Sequence, residues 1–121
     1  MGDALAHVRK AKHNETFLNV IQKSDPNSIS YPDWMVTVAF YIALHYVDAA
    51  LAKLKPPKHP QNHPARNRFV NLYLPSDIAQ YYLYLYNQSK IARYFPDSEK
   101  RISPVTVQRC INLALTRFSS I

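Results

Sequence analysis

Residues 33–54 read DWMVTVAFYIALHYVDAALAKL and contain the longest apolar run of the chain. Apolar side chains recur along it at intervals of three and four residues, which is the spacing of one face of an α-helix. The residues with this spacing are Val36, Phe40, Leu44, Val47, Leu51 and Leu54. Pro56 and Pro57 follow closely and cannot continue a helix. We therefore predict a central helix that reaches about Leu54.

Capping residues and prolines set the limits of the predicted helices. Ser30 and Asp33 have capping-box spacing around Pro32 at the start of the central helix. The predicted helices run from about Asp3 to Ser24, from Ser30 to about Leu54, from His63 to about Leu72, from Ser76 or Asp77 to about Phe95, and from Ser103 nearly to the C-terminus. No stretch alternates convincingly like a strand. We predict an all-α fold, an antiparallel up-and-down four-helix bundle with one short additional helix after the second.

The composition is that of one folded domain spanning residues 1–121. Hydrophobic residues make up 47% of the chain and charged residues 19%, which is typical of a globular protein rather than a disordered tail. The first residues carry charges throughout and do not resemble a secretion signal. His45 and Asp48 interrupt the longest apolar run, which argues against a membrane span. With Cys110 as the single cysteine, we expect a cytoplasmic protein without an internal disulfide.

Glycine content and histidine spacing exclude several kinds of site. Gly2 is the only glycine, so the chain has no phosphate-binding glycine loop and no dinucleotide fingerprint. His45, His59 and His63 lack the short spacing that puts two metal ligands on one helix face. We therefore expect neither a metal ion nor a cofactor.

The charge of the chain predicts an anionic partner. The net charge is +7, and no acidic residue lies between Asp48 and Asp77. The basic residues in that interval are Lys53, Lys55, Lys58, Arg66 and Arg68. Clustered basic residues attract the phosphates of nucleic acids. The alternative is a solvated linker whose lysines only keep the protein soluble.

One candidate site lies on the central helix. Tyr41 comes one turn before His45, and Asp48 comes nearly one turn after it. A carboxylate in that position can orient an imidazole and raise its pKa, as general acid–base catalysis requires. The alternative is that His45 is a partly buried packing residue whose polar group Asp48 satisfies.

A second candidate site lies at the start of the third helix. His63 or Asn62 would cap that helix, and Arg66 would lie in its first turn. The backbone donors and the positive end of the helix dipole would there add to the Arg66 guanidinium, which can bind a phosphate through two parallel hydrogen bonds.

The fourth helix carries an aromatic and basic stripe. Tyr82, Tyr86, Ser89 and Arg93 fall on one line of this helix. Tyrosine beside arginine can stack bases and bind the backbone of single-stranded nucleic acid. The alternative is that the tyrosines fill the core or a dimer interface, with their hydroxyls at the rim.

Three segments resemble one family of small helical domains. They are FYIALHYVDAAL at 40–51, HPQNHPAR at 59–66 and LYNQSKIARYF at 85–95. In these segments the chain resembles the HEPN domains, all-α bundles found mostly in prokaryotic toxin, defence and RNA-processing systems. The resemblance implies a homodimer with a cleft for nucleotide or RNA near the dimer interface. The basic interval and the stripe of the fourth helix supply the candidate binding residues Arg66, Arg68, Tyr86 and Arg93.

The chain departs from the catalytic pattern of that family. Many active HEPN domains are metal-independent ribonucleases in which a histidine follows an arginine by a few residues. No histidine follows Arg66, Arg68 or Arg93 in this way. We therefore predict a module that binds nucleotide or RNA without catalysis. Two alternatives stay open: a metal-independent endoribonuclease using His45, His63 and Arg66, and a dimeric subunit that partners a nucleotidyltransferase encoded by a neighbouring gene.

Overall fold

The computed structural model describes residues 4–24 and 31–121, and every regular element in these ranges is an α-helix. The helices are α1 (Ala4–Ser24), α2 (Pro32–Ala52), α3 (His63–Tyr73), α4 (Ser76–Tyr94), α5 (Ser98–Arg101) and α6 (Pro104–Thr116). The all-α class is therefore confirmed. The limits of α2, α3 and α4 lie within two residues of the prediction.

Helix α2 lies at the centre of the fold. Helices α1, α4 and α6 all pack against it, as does the short α3. The predicted apolar stripe is buried at Val36, Phe40, Leu44, Val47 and Leu51, and other sides of the helix are buried at Met35, Ile42 and Tyr46. By length and composition α2 could also cross a membrane, but most of its apolar window is buried inside the fold. Its continuous apolar sequence is thus accounted for by neighbours on nearly every side.

Side-chain caps fix the starts of α3 and α6. The Asn62 side chain accepts a hydrogen bond from the Ala65 amide at 2.8 Å. The Ser103 hydroxyl accepts one from the Thr106 amide at 3.2 Å. Each bond satisfies an N–H group that the first turn of a helix leaves unpaired. Both predicted helix starts are confirmed, and Asn62 rather than His63 is the cap of α3.

The start of α2 differs from the predicted capping box. Tyr31 occupies the N-cap position and makes no side-chain cap hydrogen bond. Pro32 fills the first turn, where its missing N–H would have no partner in any case. Ser30, the predicted cap, lies outside the described residues, as does Asp3, the predicted start of α1.

Helix α5 is a short element that the sequence pattern did not predict. It spans Ser98–Arg101, contacts α4 and α2, and buries Ser98. A single turn is too short to show a periodic apolar pattern, which explains why it escaped prediction.

Candidate functional site

A buried ion pair joins the central helix to α3. Arg66 donates from Nε to Asp48 Oδ1 at 2.8 Å and from Nη2 to Asp48 Oδ2 at 3.2 Å. The two side chains are only 11% and 9% exposed. Such a two-pronged pair fixes the guanidinium in one plane and holds the start of α3 against α2.

The pairing changes what Arg66 can do. Burial lowers the pKa of Arg66, but the hydrogen bonds and charge of Asp48 outweigh this and raise it, so the side chain stays a cation. Its two-pronged edge, which we expected to be available for phosphate, is occupied by Asp48. The Nη1 atom instead lies 3.5 Å from His63 Nδ1. Arg66 therefore keeps its positive charge, but its two-pronged edge is not free to bind a phosphate.

His63 is enclosed by aromatic rings. Its ring centroid lies 5.4 Å from that of Tyr86 and 5.9 Å from that of Phe40. Burial lowers the pKa of His63, and the nearby Arg66 and Arg93 cations lower it further, against a smaller opposing effect of Asp48. The imidazole is thus held towards its neutral form.

Arg93 extends the site along α4. Its Nε donates to the Ser89 carbonyl and its Nη2 to the Ser89 hydroxyl, both at 3.2 Å. Its guanidinium lies over three rings, 5.5 Å from Phe40, 6.0 Å from Tyr41 and 5.1 Å from Tyr94. These contacts hold the Arg93 cation beside the aromatic side chains of Phe40 and Tyr41 on α2.

His45 contacts a residue that sequence reasoning missed. Its Nδ1 lies 3.2 Å from Nδ1 of His7 on α1, and the two rings stack with centroids 5.5 Å apart. Within the described residues the carboxylate of Asp48 bonds to Arg66 and not to His45. The predicted orienting role of Asp48 thus applies to Arg66, and the hydrogen-bonding partner of His45 is His7.

The pKa of His45 moves opposite to the expected direction. Burial lowers it most, followed by the neighbouring His7, while Asp48 opposes the shift and Lys10 and Arg66 add to it. The expected rise assumed that Asp48 would dominate. Desolvation and cations outweigh this carboxylate, because Arg66 already neutralises it.

Two cavities lie next to the polar side chains described above. The larger, of about 520 Å³, is lined by His7, Asp48, Lys58, His59, Pro60, Gln61 and Arg66. The smaller, of about 350 Å³, is lined by Lys10, Asn14, Val38, Tyr41 and His45. The backbone N–H of Lys58 donates to the Leu51 carbonyl at 2.9 Å, which folds the basic loop back onto the end of α2 and into the larger cavity.

The candidate residues predicted from the sequence fall into three groups. Asp48, Arg66, His63 and Tyr86 form one chain of contacts, and Arg93 touches Tyr41 beside it. His45 belongs to the same side of α2 but makes no hydrogen bond to His63 or Arg66 in the part of the chain that the structure describes. Arg68 is exposed, lies over the Phe69 ring and lines neither cavity.

One buried hydroxyl lies under the site. Tyr82 is fully buried, and its hydroxyl makes no hydrogen bond of good geometry. Burial raises the pKa of Tyr82, while the charge of the nearby Arg66 opposes that shift. The structural interpretation of this tyrosine is confirmed, since its ring packs 5.7 Å from that of Phe40 in the core.

A metal centre has no basis in the described ranges. No group of three or more histidine, cysteine, aspartate or glutamate side chains there is arranged to hold a metal ion. His59 lines the larger cavity, whereas His63 faces the rings of Phe40 and Tyr86.

No protein-family model, curated protein or solved structure matches this chain.

Proposed function

We propose that this protein is a HEPN-like helical module that binds RNA or a nucleotide without cleaving it. One observation carries the proposal. Lys10 from α1 lines the smaller cavity, and Lys58 and Arg66 line the larger one. Among the described residues that line these two cavities Asp48 is the one carboxylate, and Arg66 pairs with it. Lys10 and Lys58 thus leave the cavities with excess positive charge, and Arg93 lies over the ring of Tyr41 beside the smaller one.

The electrostatics of the histidines support an anionic ligand. Burial lowers the pKa of both His45 and His63 most, and nearby cations add to the shift because a further positive charge there is unfavourable. A phosphate group bound beside the histidines would oppose the effect of the cations and raise both pKa values. Binding would then take up protons and strengthen as the pH falls.

The aromatic side chains around the cations favour a ligand that carries bases. Tyr86 lies against His63 and beneath Lys90, whose Nζ is 5.4 Å from the ring centroid. Tyr94 is 67% exposed next to Arg93. The half-buried ring of Tyr86 and the exposed ring of Tyr94, each beside a cation, suit single-stranded RNA, in which bases stack on rings and phosphates meet cations.

Three finer features accompany this proposal: the bundle follows from the helix pattern, the cytoplasmic setting from the composition, and the homodimer from the family resemblance. We propose that the long helices form an antiparallel up-and-down bundle, that two copies pair as a homodimer, and that the protein acts in the cytoplasm. Each of these features can be tested independently of ligand binding. Light scattering during size-exclusion chromatography would test the dimer without reference to any ligand.

The binding proposal is tested by fluorescence anisotropy with a labelled single-stranded RNA at several salt concentrations. We expect affinity to fall steeply with salt, since phosphate contacts release counterions. Arg93→Gln should weaken binding severalfold. Arg109→Gln is the matched control, because Arg109 also lies over a tyrosine ring, that of Tyr84, but on exposed surface of α6. Equal loss in both variants, or no affinity in the wild type, would contradict the proposal.

A second candidate function has one observation in its favour. His63 Nδ1 lies 3.5 Å from Arg66 Nη1, so a general base and a cation for the phosphorane charge are neighbours. The candidate function is a metal-independent endoribonuclease. It predicts RNA cleavage in the presence of a chelator that is lost in His63→Ala and His45→Ala. Cleavage that persists in both variants would exclude this use of the site.

A further inference from the structure

The His7–His45 contact separates two cavities. His7 lines the cavity of about 520 Å³, and His45 lines that of about 350 Å³. Their Nδ1 atoms are 3.2 Å apart, so the two cavities meet at this pair of rings. Both volumes are of the size that small-molecule sites have, roughly 300–1,000 Å³.

The larger cavity has the chemistry of a phosphate site. Lys58 supplies positive charge, and His7, His59 and Gln61 add hydrogen-bonding groups. The carboxylate in its wall, Asp48, is bound by Arg66 through both oxygens, so these two charges compensate each other. An incoming phosphate would therefore meet a neutral ion pair and the uncompensated charge of Lys58.

The smaller cavity has a different chemistry. Tyr41 offers an aromatic ring, Val38 an apolar side chain, and Asn14 an amide with both a donor and an acceptor. A ring to stack on beside an amide is the combination that proteins use to hold a nucleobase and read its edge. Lys10, an exposed residue that also lines this cavity, adds one charge.

We propose that the two cavities form a single mononucleotide site, with the phosphate in the larger cavity and the base against Tyr41 in the smaller one. This inference rests on the proposed function and deepens it by assigning the phosphate and the base of the ligand to separate cavities. The ribose would cross the His7–His45 pair, whose ring nitrogens can hydrogen-bond its hydroxyls. A site of this size fits one nucleotide of a strand or a free nucleoside monophosphate.

Calorimetric titration with inorganic phosphate, adenosine and AMP tests the inference. We expect phosphate to bind weakly and AMP about tenfold or more tightly, as stacking of one base provides. Asn14→Leu and Tyr41→Leu should remove most of that advantage of AMP and leave phosphate binding unchanged. Lys58→Ala should weaken phosphate and AMP alike. Tyr31→Leu is the matched control, because Tyr31 is 61% exposed and lines neither cavity.

The possible failures of the two proposals are distinguishable. If phosphate and AMP bind equally, the base site is wrong while anion binding stands. The same holds if AMP binds more tightly but ignores both Asn14→Leu and Tyr41→Leu. If adenosine binds as tightly as AMP, the phosphate site is wrong. If neither AMP nor single-stranded RNA binds, the proposed function fails together with this inference. Circular dichroism of each variant would show that lost binding does not reflect lost folding.

Discussion

Two ion pairs in this protein have the same bond length and opposite surroundings. In both Asp48–Arg66 and Asp97–Arg101, arginine Nε lies 2.8 Å from aspartate Oδ1. The side chains of the first pair are 11% and 9% exposed, and those of the second are 51% and 53% exposed. The first pair joins two helices across 18 positions of sequence, whereas the second spans four. Bond length alone therefore says little about what an ion pair does.

The difference lies in solvent and in connectivity. Water screens the charges of the exposed pair. Holding its two side chains in one geometry costs conformational entropy, so such pairs contribute little to stability. The buried pair cannot return either charge to water without opening the contact between α2 and α3. Its arginine also touches His63 and acts on His45, so it sets the geometry and the charge of the candidate site.

The largest expected effect comes from breaking the buried pair on one side. Asp48→Ala would leave the Arg66 cation buried without a partner, which typically costs about 3–5 kcal/mol of unfolding free energy. Urea unfolding followed by circular dichroism at pH 7.5 would measure it. A loss no larger than that of Asp97→Ala would mean that burial does not separate the two pairs.

Replacing Asn62 tests whether the start of α3 matters independently of the ion pair. Asn62→Ala removes the side-chain bond to the Ala65 amide, and loss of such a cap costs about 1 kcal/mol. Ser103→Ala at the start of α6 is the matched control for stability. If α3 positions the site, Asn62→Ala should weaken RNA binding and Ser103→Ala should not. Equal effects of both variants on binding would contradict this.

Removing both members of the buried pair tests whether the pair stabilises the fold at all. An apolar pair such as Asp48→Leu with Arg66→Met avoids the unpaired charge, and such replacements are often neutral or stabilising. We expect stability within about 1 kcal/mol of the wild type, combined with weaker RNA binding. A double variant as unstable as Asp48→Ala would show that the ion pair itself contributes strongly to stability.

The pH dependence of stability should follow the buried region. The pKa of His45 is lowered on folding by burial and by His7, from an ordinary value of 6.5. Below pH 6.5 the unfolded chain therefore binds more protons than the folded chain. The contribution of His45 to the free energy of unfolding is fully present above that pH and declines as the pH falls. We expect a lower urea midpoint at pH 5.5 than at pH 7.5, and a smaller difference in His45→Asn. His13→Asn on exposed α1 is the control.

The smallest effect is expected from the exposed pair. Asp97→Ala removes an i,i+4 contact that water screens, so the urea midpoint should stay within experimental error of the wild type. Salt should leave this result unchanged. A clear loss of stability would mean that the α5 turn depends on this bond, and it would narrow the contrast between the two pairs.

Local features of the sequence predicted most of the helices. Pro64 behind Asn62 and Pro104 behind Ser103 mark helix starts through backbone chemistry, which neighbouring elements do not change. The α2 stripe was predictable because its apolar spacing is regular from Val36 to Leu54, about five helical turns of sequence. Helix α5 was not, since one turn carries no period.

The candidate site was predictable only in part. Tyr41, His45 and Asp48 share one side of α2 by helical geometry alone, and Arg66 lies in the first turn of α3 for the same reason. The partner of each polar group was not predictable. Asp48 was expected to serve His45, and it serves Arg66 instead. His7 gave no signal that distinguishes it from the exposed His13 on the same helix.

The helical class, the limits of most long helices and the positive charge could be read from the sequence alone, because periodicity, capping and composition act within a few residues or over the whole chain. The tertiary structure decided which polar groups meet. The His7–His45 contact spans 38 positions and the Asp48–Arg66 pair spans 18, so both depend on how α1 and α3 pack against α2. Burial then lowered the pKa of His45 and His63, since the two side chains lose water only when those helices pack around them.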